Sequence, residues 1–355
     1  MIIVFTRRLA AVAAAGALAC VAATASAAPK TYDFTFTSGY PLTFVWAQQL
    51  NDVFMPTIDA ELAKTGTYKI NWNKAFGGAL GKPNEQLELV QKGLAQVGDV
   101  VLPFLASQLP LHNVGFAVPF GTGDVAVATA ALHDMHTTIP AFKATWDKYN
   151  QVYLGGLALD SYHIATTFPL KTVEDLKGKK IGAAGLNQAW IANTGAAGVG
   201  IAAVTVYNDL KTGVVQGAIL TGTLFHSAKV YEVAPYVTKA YLGAVYQITV
   251  TVNKDVWVEL PAEVQAAFTL AGQRYMASGI EALKTREAIA FKEMAEKGAT
   301  VYELPQEERV RWAGILPNQP KTWAGTDPER LAVLTAYMDK LRAAGTPLPR
   351  QWDKE

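Results

Sequence analysis

The chain has 355 residues, 50% of them of hydrophobic type, and its 31 basic residues nearly balance its 30 acidic ones. This apolar content supports a substantial core and excludes an intrinsically disordered chain, while the length favours two domains over one. Because the formal charge is +1 and no long single-sign run occurs, the sequence offers no basic face and predicts no nucleic-acid partner.

Residues 1–27 have the composition of a secretory signal peptide. Arg7 and Arg8 precede an apolar run from Leu9 to about Ala23, and Ala25-Ser26-Ala27 then offers small residues for cleavage. The apolar run is shorter than the ~20 residues that span a bilayer, so a membrane anchor is not expected. We predict cleavage after Ala27, export and a periplasmic location.

Cys20 is the only cysteine of the chain and would be removed with the signal peptide. The mature chain would then lack a thiol, and with it any disulfide, cysteine metal ligand or cysteine nucleophile. One alternative stays open, because the run Ala17-Leu18-Ala19-Cys20 is a weak match to the motif that directs lipid attachment to a cysteine.

Strand and helix patterns alternate through the segment that follows. Apolar residues at every second position predict strands, and a 3.6-residue period with breaks at proline or glycine predicts helices. In chain order the pattern predicts a strand at Thr31–Thr37, a helix at Leu42–Lys64 interrupted at Pro56, a strand at Lys69–Asn73, a glycine-rich turn at Gly77–Gly81, a helix at about Glu85–Gly93 and a strand at Val97–Leu102. This order is typical of a parallel sheet covered by helices.

The same order returns in the second half of the chain. The pattern predicts strands at Val152–Leu159, Lys179–Ala184, Ala202–Val206, Val215–Leu220 and Val245–Asn253, with helices at Leu186–Thr194 and Asn208–Thr212. A continuous helical pattern from Ala262 to about Lys297 then predicts a helix of about 54 Å, long enough to reach across two lobes. The last segment, about Pro305–Glu355, is predicted to be helical. Two α/β units without a flexible linker indicate a hinged pair.

The sequence contains no motif that indicates enzymatic chemistry. His133 and His136 are three residues apart on a predicted helix, but two imidazoles without a third ligand are a poor metal site. The glycine-rich turn before Lys82 lacks the spacing of a phosphate-binding loop, and no G-x-S-x-G nucleophile motif occurs. We therefore predict a protein that is not an enzyme and that holds no cofactor and no metal.

Several segments, taken in order, resemble one family. They are Gly77–Gly81 with Leu87–Gly93, Pro169–Ile181, Gly213–Gly217, Ser227–Val233 and Leu260–Gln265. On these segments, residues of about 30–300 resemble the periplasmic solute-binding subunit of tripartite ATP-independent (TRAP) transporters, of the dicarboxylate-receptor-like kind. Each segment is a weak match alone, and their order behind a signal peptide carries the resemblance.

The resemblance implies a two-lobed periplasmic-binding-protein fold of the α/β class, in which each lobe is a mixed sheet flanked by helices and one long helix spans both lobes. The predicted parts are a signal peptide at 1–27, lobe one at 28–153, lobe two at 154–244, a return strand with the long helix at 245–300, and a C-terminal helical segment at 301–355. The implied function is capture of a small organic acid by cleft closure and its delivery to the membrane subunits of a TRAP transporter. A monomer is expected, with a dimer as the open alternative.

The sequence departs from the family at two polar positions. The arginine that in the family clamps a ligand carboxylate is replaced by Gly182, and Gln216–Leu220 lacks the family's asparagine. The resemblance therefore supports the transport role but not the family's usual dicarboxylate or sugar-acid ligand. We expect an aromatic or hydrophobic monocarboxylate, with the backbone N–H groups of residues 182–186 in place of the arginine.

Candidate ligand-binding residues follow from their positions at predicted strand ends, where α/β sheets bind ligands. They are Tyr40, Phe44, Phe76 and Phe104 in lobe one, Tyr162, His163, Gly182, Asn187, Trp190, Thr221, Thr223 and Phe225 in lobe two, and Tyr246 near the hinge. Aromatic members such as Phe44 and Trp190 are equally consistent with core packing. Two other functions stay open: a two-lobed binding protein for another transporter or a sensor, and a periplasmic enzyme on the same scaffold.

Overall fold

The computed structural model describes residues 28–203 and 205–355. The predicted signal peptide and Cys20 lie outside the described residues. The strands are β1 (Lys30–Thr37), β2 (Tyr68–Ala75), β3 (Val97–Val101), β4 (Gln151–Ala158), β5 (Tyr162–Thr166), β6 (Lys180–Ala183), β7 (Ala197–Gly200), β8 (Gly217–Thr221), β9 (Tyr236–Gly243), β10 (Tyr246–Asn253) and β11 (Thr300–Glu303). The α-helices are α1 (Val45–Gln49), α2 (Met55–Ala63), α3 (Gln86–Gln91), α4 (Val114–Ala117), α5 (Val125–Thr138), α6 (Pro140–Lys148), α7 (Val206–Lys211), α8 (Gly222–Ser227), α9 (Lys254–Glu259), α10 (Ala262–Glu296), α11 (Gln306–Ile315), α12 (Gln319–Ala324) and α13 (Pro328–Ala343).

The first sheet has the strand order β2-β1-β3-β10-β4. β1 is parallel to β2 and β3, whereas β10 is antiparallel to β3 and β4. Because side chains alternate between the faces of a strand, Phe34 and Phe36 point to the same face, where their rings lie 6.0 Å from Phe268 and 6.2 Å from Phe54. The strand predicted from this alternation is confirmed.

α1 and α2 form one helix that is interrupted by a π turn at Leu50–Phe54. Pro56 lies at the start of α2. Its ring nitrogen has no hydrogen to donate to the carbonyl group four residues earlier, and the wider π turn accommodates that loss. The predicted interruption at Pro56 is therefore a change of helix type rather than a break in the chain direction.

The second sheet has the strand order β11-β9-β5-β8-β6-β7. β5 is antiparallel to β8 and β9, while β6 is parallel to β7 and β8. The strand predicted at 202–206 is wrong, because α7 begins at Val206 and the edge strand is β7 (residue 204 lies outside the described part). Pairing with β6, rather than a strand-like side-chain pattern, makes Ala197–Gly200 extended.

Two short segments connect the sheets, Leu159–Ser161 between β4 and β5 and Ala244–Val245 between β9 and β10. The N–H of Leu159 donates to the carbonyl of Val245 at 3.0 Å, so the two crossings run side by side. We call the part built on the first sheet lobe one and the part built on the second sheet lobe two. The predicted boundary at 153/154 falls inside β4, which pairs with β10 as far as Ala158.

α10 contacts elements of both lobes, among them β4 and α2 in lobe one and α8 and β11 in lobe two. Gly272 and Gly279 lie seven residues apart, on one face of the helix. A Cβ at Gly272 would lie 2.0 Å from the carbonyl oxygen of Leu154, and one at Gly279 would lie 2.4 Å from a methyl carbon of Leu157. These two glycines therefore allow the helix to approach β4 closely, and the predicted helix across both lobes is confirmed.

The C-terminal helices tie the lobes together from outside the sheets. The indole N–H of Trp312 in α11 donates to the carbonyl of Trp190 in lobe two at 2.9 Å. α13 packs on α5 in lobe one, and the indole N–H of Trp352 donates to the carbonyl of Pro119 at 3.1 Å. Within residues 28–203 and 205–355, no helix combines the length and the apolar composition needed to cross a bilayer.

Candidate functional site between the lobes

The strand ends of both lobes meet beside the two crossing segments. Ser38 and Tyr40 follow β1 in lobe one, and Asn187 follows β6 in lobe two. Tyr162 begins β5 and is in register with Thr221 at the end of β8. Ligand sites of α/β sheets form at the carboxyl ends of parallel strands, so this region is the candidate site.

The wall from lobe one is aromatic. The ring centroid of Tyr40 lies 4.9 Å from that of Phe44 and 5.1 Å from that of Trp46. The carbonyl of Tyr40 accepts a hydrogen bond from the N–H of Gly77 at 2.9 Å, which ties the turn after β2 to this wall. Burial raises the pKa of Tyr40 to about 12, and electrostatic interactions with Asp99 and Tyr162 add to the rise. Tyr40 is therefore a neutral hydrogen-bond donor at neutral pH.

A fully buried carboxylate lies behind this wall. Asp99 is in the middle of β3, and one of its oxygens (Oδ2) accepts a hydrogen bond from the hydroxyl of Ser38 at 2.9 Å. Its other oxygen (Oδ1), the indole nitrogen of Trp46 and the hydroxyl of Tyr275 are buried and have no hydrogen-bond partner in the described part of the chain. Burial raises the pKa of Asp99 to about 7.

The wall from lobe two is centred on Tyr162. Its hydroxyl accepts a hydrogen bond from the side-chain amide of Gln247 at 3.1 Å, and the side chain of Asn187 lies close enough to favour its ionised form. Its ring lies 5.3 Å from that of Trp190 and 6.4 Å from that of Phe116. Burial raises the pKa of Tyr162 to about 12. The amide of Gln247 thus donates to the phenol oxygen, and the phenol proton remains free for another acceptor.

Asn187 supplies a second buried acceptor. Its side chain is about 1% exposed, and its carbonyl oxygen (Oδ1) has no hydrogen-bond partner within the described residues. Asn187 lies close enough to Tyr162 to influence its pKa, and Tyr162 interacts electrostatically with Tyr40, so these three residues join the two walls. The region therefore combines phenol donors, unpaired acceptors and aromatic surfaces.

The crossing segment is tied to α8 and α10 by a buried polar cluster. Asp160 accepts hydrogen bonds from the backbone N–H and the hydroxyl of Thr223, both at 2.9 Å. The Nδ1 atom of His163 accepts from the backbone N–H of Tyr241 at 3.2 Å, so its Nε2–H donates to Glu287 at 3.2 Å. Burial lowers the pKa of His163 to about 3 and raises that of Glu287 to about 7. His163 is therefore a neutral structural bridge.

Seven of the predicted site residues lie together at these strand ends. They are Tyr40, Phe44, Tyr162, Asn187, Trp190, Thr221 and Thr223. Phe76 follows β2 and stacks on Phe36 at 5.4 Å, next to the turn that holds Tyr40. Phe104 follows β3 and is 55% exposed, so its ring lies at the surface of this region.

The other predicted residues lie inside the lobes. Phe225 is fully buried in a hydrophobic core of lobe two, because its side chain lies on the face of α8 that packs against this core. Tyr246 is buried in lobe one, where its hydroxyl lies 2.6 Å from that of Tyr153. His163 faces α10 as described above. At Gly182 a Cβ would lie 2.6 Å from the terminal methyl carbon of Ile201, so any side chain there would require Ile201 to move.

Gly182 is also paired on both sides, with β7 and with β8, so its backbone is part of the sheet. The expected helix start is a short 3₁₀ helix at Gly185–Ile191 rather than an α-helix. Sequence reasoning did not select Ser38, Trp46, Asp99, Gln247 or Tyr275. One sequence signal was available for Asp99, since it is the only charged residue in the otherwise apolar run 97–102.

Comparison with known families gives one match over most of the chain. The family model described as bacterial extracellular solute-binding protein, family 7, matches residues 60–322. A solute-binding protein of Sulfitobacter sp. (strain NAS-14.1) is 26% identical over 249 residues, which cover 68% of this chain and 73% of that protein. A solute-binding protein of Albidiferax ferrireducens is 23% identical over 270 residues, which cover 72% of this chain and 76% of that protein.

Solved structures with the same fold include several TRAP periplasmic solute-binding proteins. One is a marine-metagenome protein specific for aromatic acids, solved in complex with 3-hydroxybenzoate. Its alignment with this chain has a TM-score of 0.75 at 18% sequence identity and covers 88% of this chain and 99% of that protein. Another is an extracytoplasmic solute receptor of Bordetella pertussis that binds pyroglutamic acid. Its alignment has a TM-score of 0.74 at 20% sequence identity and covers 88% of this chain and 100% of that receptor. At these identities the similarity establishes the two-lobed fold.

Proposed function

The chain belongs to family 7 of the bacterial extracellular solute-binding proteins, and from this premise we propose that it captures a small organic acid between its lobes and delivers it to a membrane secondary transporter. The family consists of solute-binding proteins and not of enzymes. The proposed partners are the organic acid and the membrane subunits of a TRAP transporter. The proposed binding residues are Tyr40, Phe44, Tyr162, Asn187 and Trp190.

The observation that supports this proposal is the hydrogen bonding of Tyr162. The amide of Gln247 donates to its oxygen and Asn187 lies beside it, so Tyr162 keeps its own proton for donation to a ligand. Tyr40 of lobe one lies close enough to interact with it electrostatically. Two neutral phenol donors from opposite lobes can share one carboxylate, and such charge-assisted bonds contribute about 1.5–3 kcal/mol each. They would bind the carboxylate in place of the family's arginine, whose position is occupied by Gly182.

The aromatic side chains on both walls favour an acid with a flat or apolar body. Tyr40, Phe44 and Trp46 form one surface and Trp190 with Phe116 another. Aromatic pairs of this kind bind planar or apolar groups through dispersion and burial. The 3-hydroxybenzoate complex of the similar marine-metagenome protein is consistent with this ligand class.

Cleft closure follows from the two crossing segments. Rotation about Leu159–Ser161 and Ala244–Val245 brings the walls together, and a ligand that touches both walls favours the closed arrangement. To shift the population from 1:99 to 99:1, the ligand must bind the closed form about 10⁴-fold more tightly, or by ~5.5 kcal/mol. The two phenols and the aromatic contacts together can supply this difference.

A panel of organic acids tests the proposal. Thermal shift identifies binders, and small-angle X-ray scattering in the presence of each binder measures closure. Tyr162→Phe should weaken binding roughly 10- to 100-fold, since one hydrogen bond to a charged group is lost. Tyr207→Phe, which removes a phenol at the surface of lobe two, is the matched control and should leave binding unchanged. The proposal fails if no organic acid binds or changes the scattering curve.

We also propose that the chain is exported to the periplasm, cleaved after Ala27 and monomeric. The composition of residues 1–27 and the extracellular family support export. The mass of the protein purified from periplasm should correspond to a chain that starts at Ala28. A mass that includes Cys20 with attached lipid would contradict cleavage at this site. Light scattering during size-exclusion chromatography measures the oligomeric state.

A further inference from the structure

We propose that the bound acid carries a protonated amine next to its carboxylate and that Asp99 is the residue that binds this amine. The inference rests on the proposed function, since it names the class of the captured solute. It adds an amino group to the aromatic or apolar acid proposed above, so the solute is a zwitterion with an apolar body.

The first observation is the half-satisfied carboxylate of Asp99. Ser38 donates to its Oδ2 oxygen at 2.9 Å, and no described residue donates to its Oδ1 oxygen. Asp99 is 0% exposed. Leaving a buried carboxylate oxygen without a donor is costly, and an apolar residue in its place in β3 would avoid that cost. A carboxylate in this strand is therefore expected to serve a ligand donor.

Among the described residues no cationic side chain pairs with Asp99, although the backbone N–H groups of Gly39 and of Asp99 itself favour its charged form. Ser38 and Tyr40 approach it from the segment after β1, and Tyr275 from α10. Burial holds both phenols neutral at neutral pH. Of the ion pairs formed by the described residues, none includes Asp99. Because its pKa is about 7, Asp99 is only partly charged at neutral pH, and a cation from outside the described residues would stabilise its charged form.

The second observation is the pairing of donors and acceptors around the same place. The unpaired acceptors are the Oδ1 oxygens of Asp99 and Asn187, one from each lobe. The available donors are the phenol protons of Tyr40 and Tyr162, together with the indole N–H of Trp46 and the hydroxyl of Tyr275, which have no partner among the described residues. An ammonium group matches the acceptors and a carboxylate matches the donors. Tyr40 interacts electrostatically with both Asp99 and Tyr162, so an acceptor for the amine and a donor for the carboxylate both lie near Tyr40.

This geometry predicts how binding depends on pH. Without an amine beside it, Asp99 has a pKa of about 7, because burial disfavours its charged form. An ammonium group favours the charged form and lowers that pKa. Binding of the amine therefore releases a proton below pH 7, and affinity should rise about tenfold between pH 6 and pH 8 and then level off.

Matched pairs of acids with and without the amine provide the test. Isothermal titration at pH 8 compares L-phenylalanine with 3-phenylpropionate and L-leucine with 4-methylpentanoate. In at least one pair the amino acid should bind at least 100-fold more tightly. Asp99→Asn keeps the size of the side chain and should reduce this preference to less than about fivefold. Asp33→Asn, which makes the same change at an exposed position of β1, is the control and should keep the full preference.

Each outcome separates this inference from the proposed function. If acids without an amine bind as well as their amino counterparts, the inference is wrong and the proposed function stands. The inference is also overturned if Asp99→Asn keeps the full preference. If Asp99→Asn does not fold, the unmodified protein decides, because a preference for the amine that is equal at pH 6 and pH 8 contradicts a role for Asp99. If no acid of either kind binds, the proposed function fails as well.

Discussion

The approach of α10 to β4 provides the sharpest test of the fold. Gly272→Ala would place a Cβ 2.0 Å from the carbonyl oxygen of Leu154, where ordinary contact needs about 3.4 Å. Because the obstacle is backbone, the helix or the strand must move by more than 1 Å. Overpacking of this kind costs about 1–3 kcal/mol or more, while replacing a helical glycine by alanine gains up to ~1 kcal/mol.

The expected net loss is about 2 kcal/mol in the free energy of unfolding, measured by urea denaturation. Gly314→Ala is the matched control, because Gly314 lies in α11 and a Cβ there would meet nothing within 4 Å. This control should gain about 0.5–1 kcal/mol through helix propensity alone. If Gly272→Ala is as stable as Gly314→Ala, the close contact between α10 and β4 does not exist as described, and the argument from the two glycines is refuted.

Three further predictions concern local contacts. Trp312→Phe should destabilise the protein by about 2 kcal/mol, because it removes the hydrogen bond to Trp190 and leaves a small cavity. Trp323→Phe, at a half-buried position, should cost less than half of that. Equal losses of unfolding free energy in urea denaturation would contradict the prediction. Asp175→Ala should cost about 1 kcal/mol, since Asp175 accepts from the backbone N–H groups of Lys171 and Thr172 in a capping box, and an unchanged unfolding midpoint would exclude this role. His163 has a pKa of about 3 in the folded chain and about 6.5 when unfolded, so the unfolded state binds more protons between these values. The contribution of His163 to stability should therefore fall as pH drops from 6.5 towards 3. His163→Gln should flatten this part of the plot of unfolding free energy against pH, and an identical slope would contradict the prediction.

The seven predicted residues that lie together in the candidate site share one property. Each of them ends, follows or begins a strand at the edge where parallel strands end. That rule depends only on the order of elements along the chain, so it could be applied to Tyr40, Asn187 and Thr221 without coordinates. The rule could not show whether a residue at a strand end faces the candidate site or the core of its lobe. Phe225 follows the same strand as Thr221 and Thr223, yet α8 turns it into the core of lobe two.

The two strands of lobe two that adjoin the crossing segments, β5 and β9, were not predicted. β5 and β9 are held by their neighbours in the second sheet, and β5 pairs with both β8 and β9. Pairing of this kind links residues up to 81 positions apart, as between Tyr162 and Gly243. Because strand formation depends on such partners as much as on side-chain type, a single sequence indicates these segments poorly.

The sequence by itself determined the element types where the pattern is local and long, as in the alternation of β1 and the helical period of α10, and the ordered family segments determined the two-lobed class. Only the tertiary structure decided which polar atoms are paired. Ser38 and Asp99 are 61 positions apart, and Tyr162 and Gln247 are 85 apart. Hydrogen-bond partners depend on how separate elements pack in space, so the unpaired oxygens of Asp99 and Asn187 have no counterpart in any local pattern of the chain.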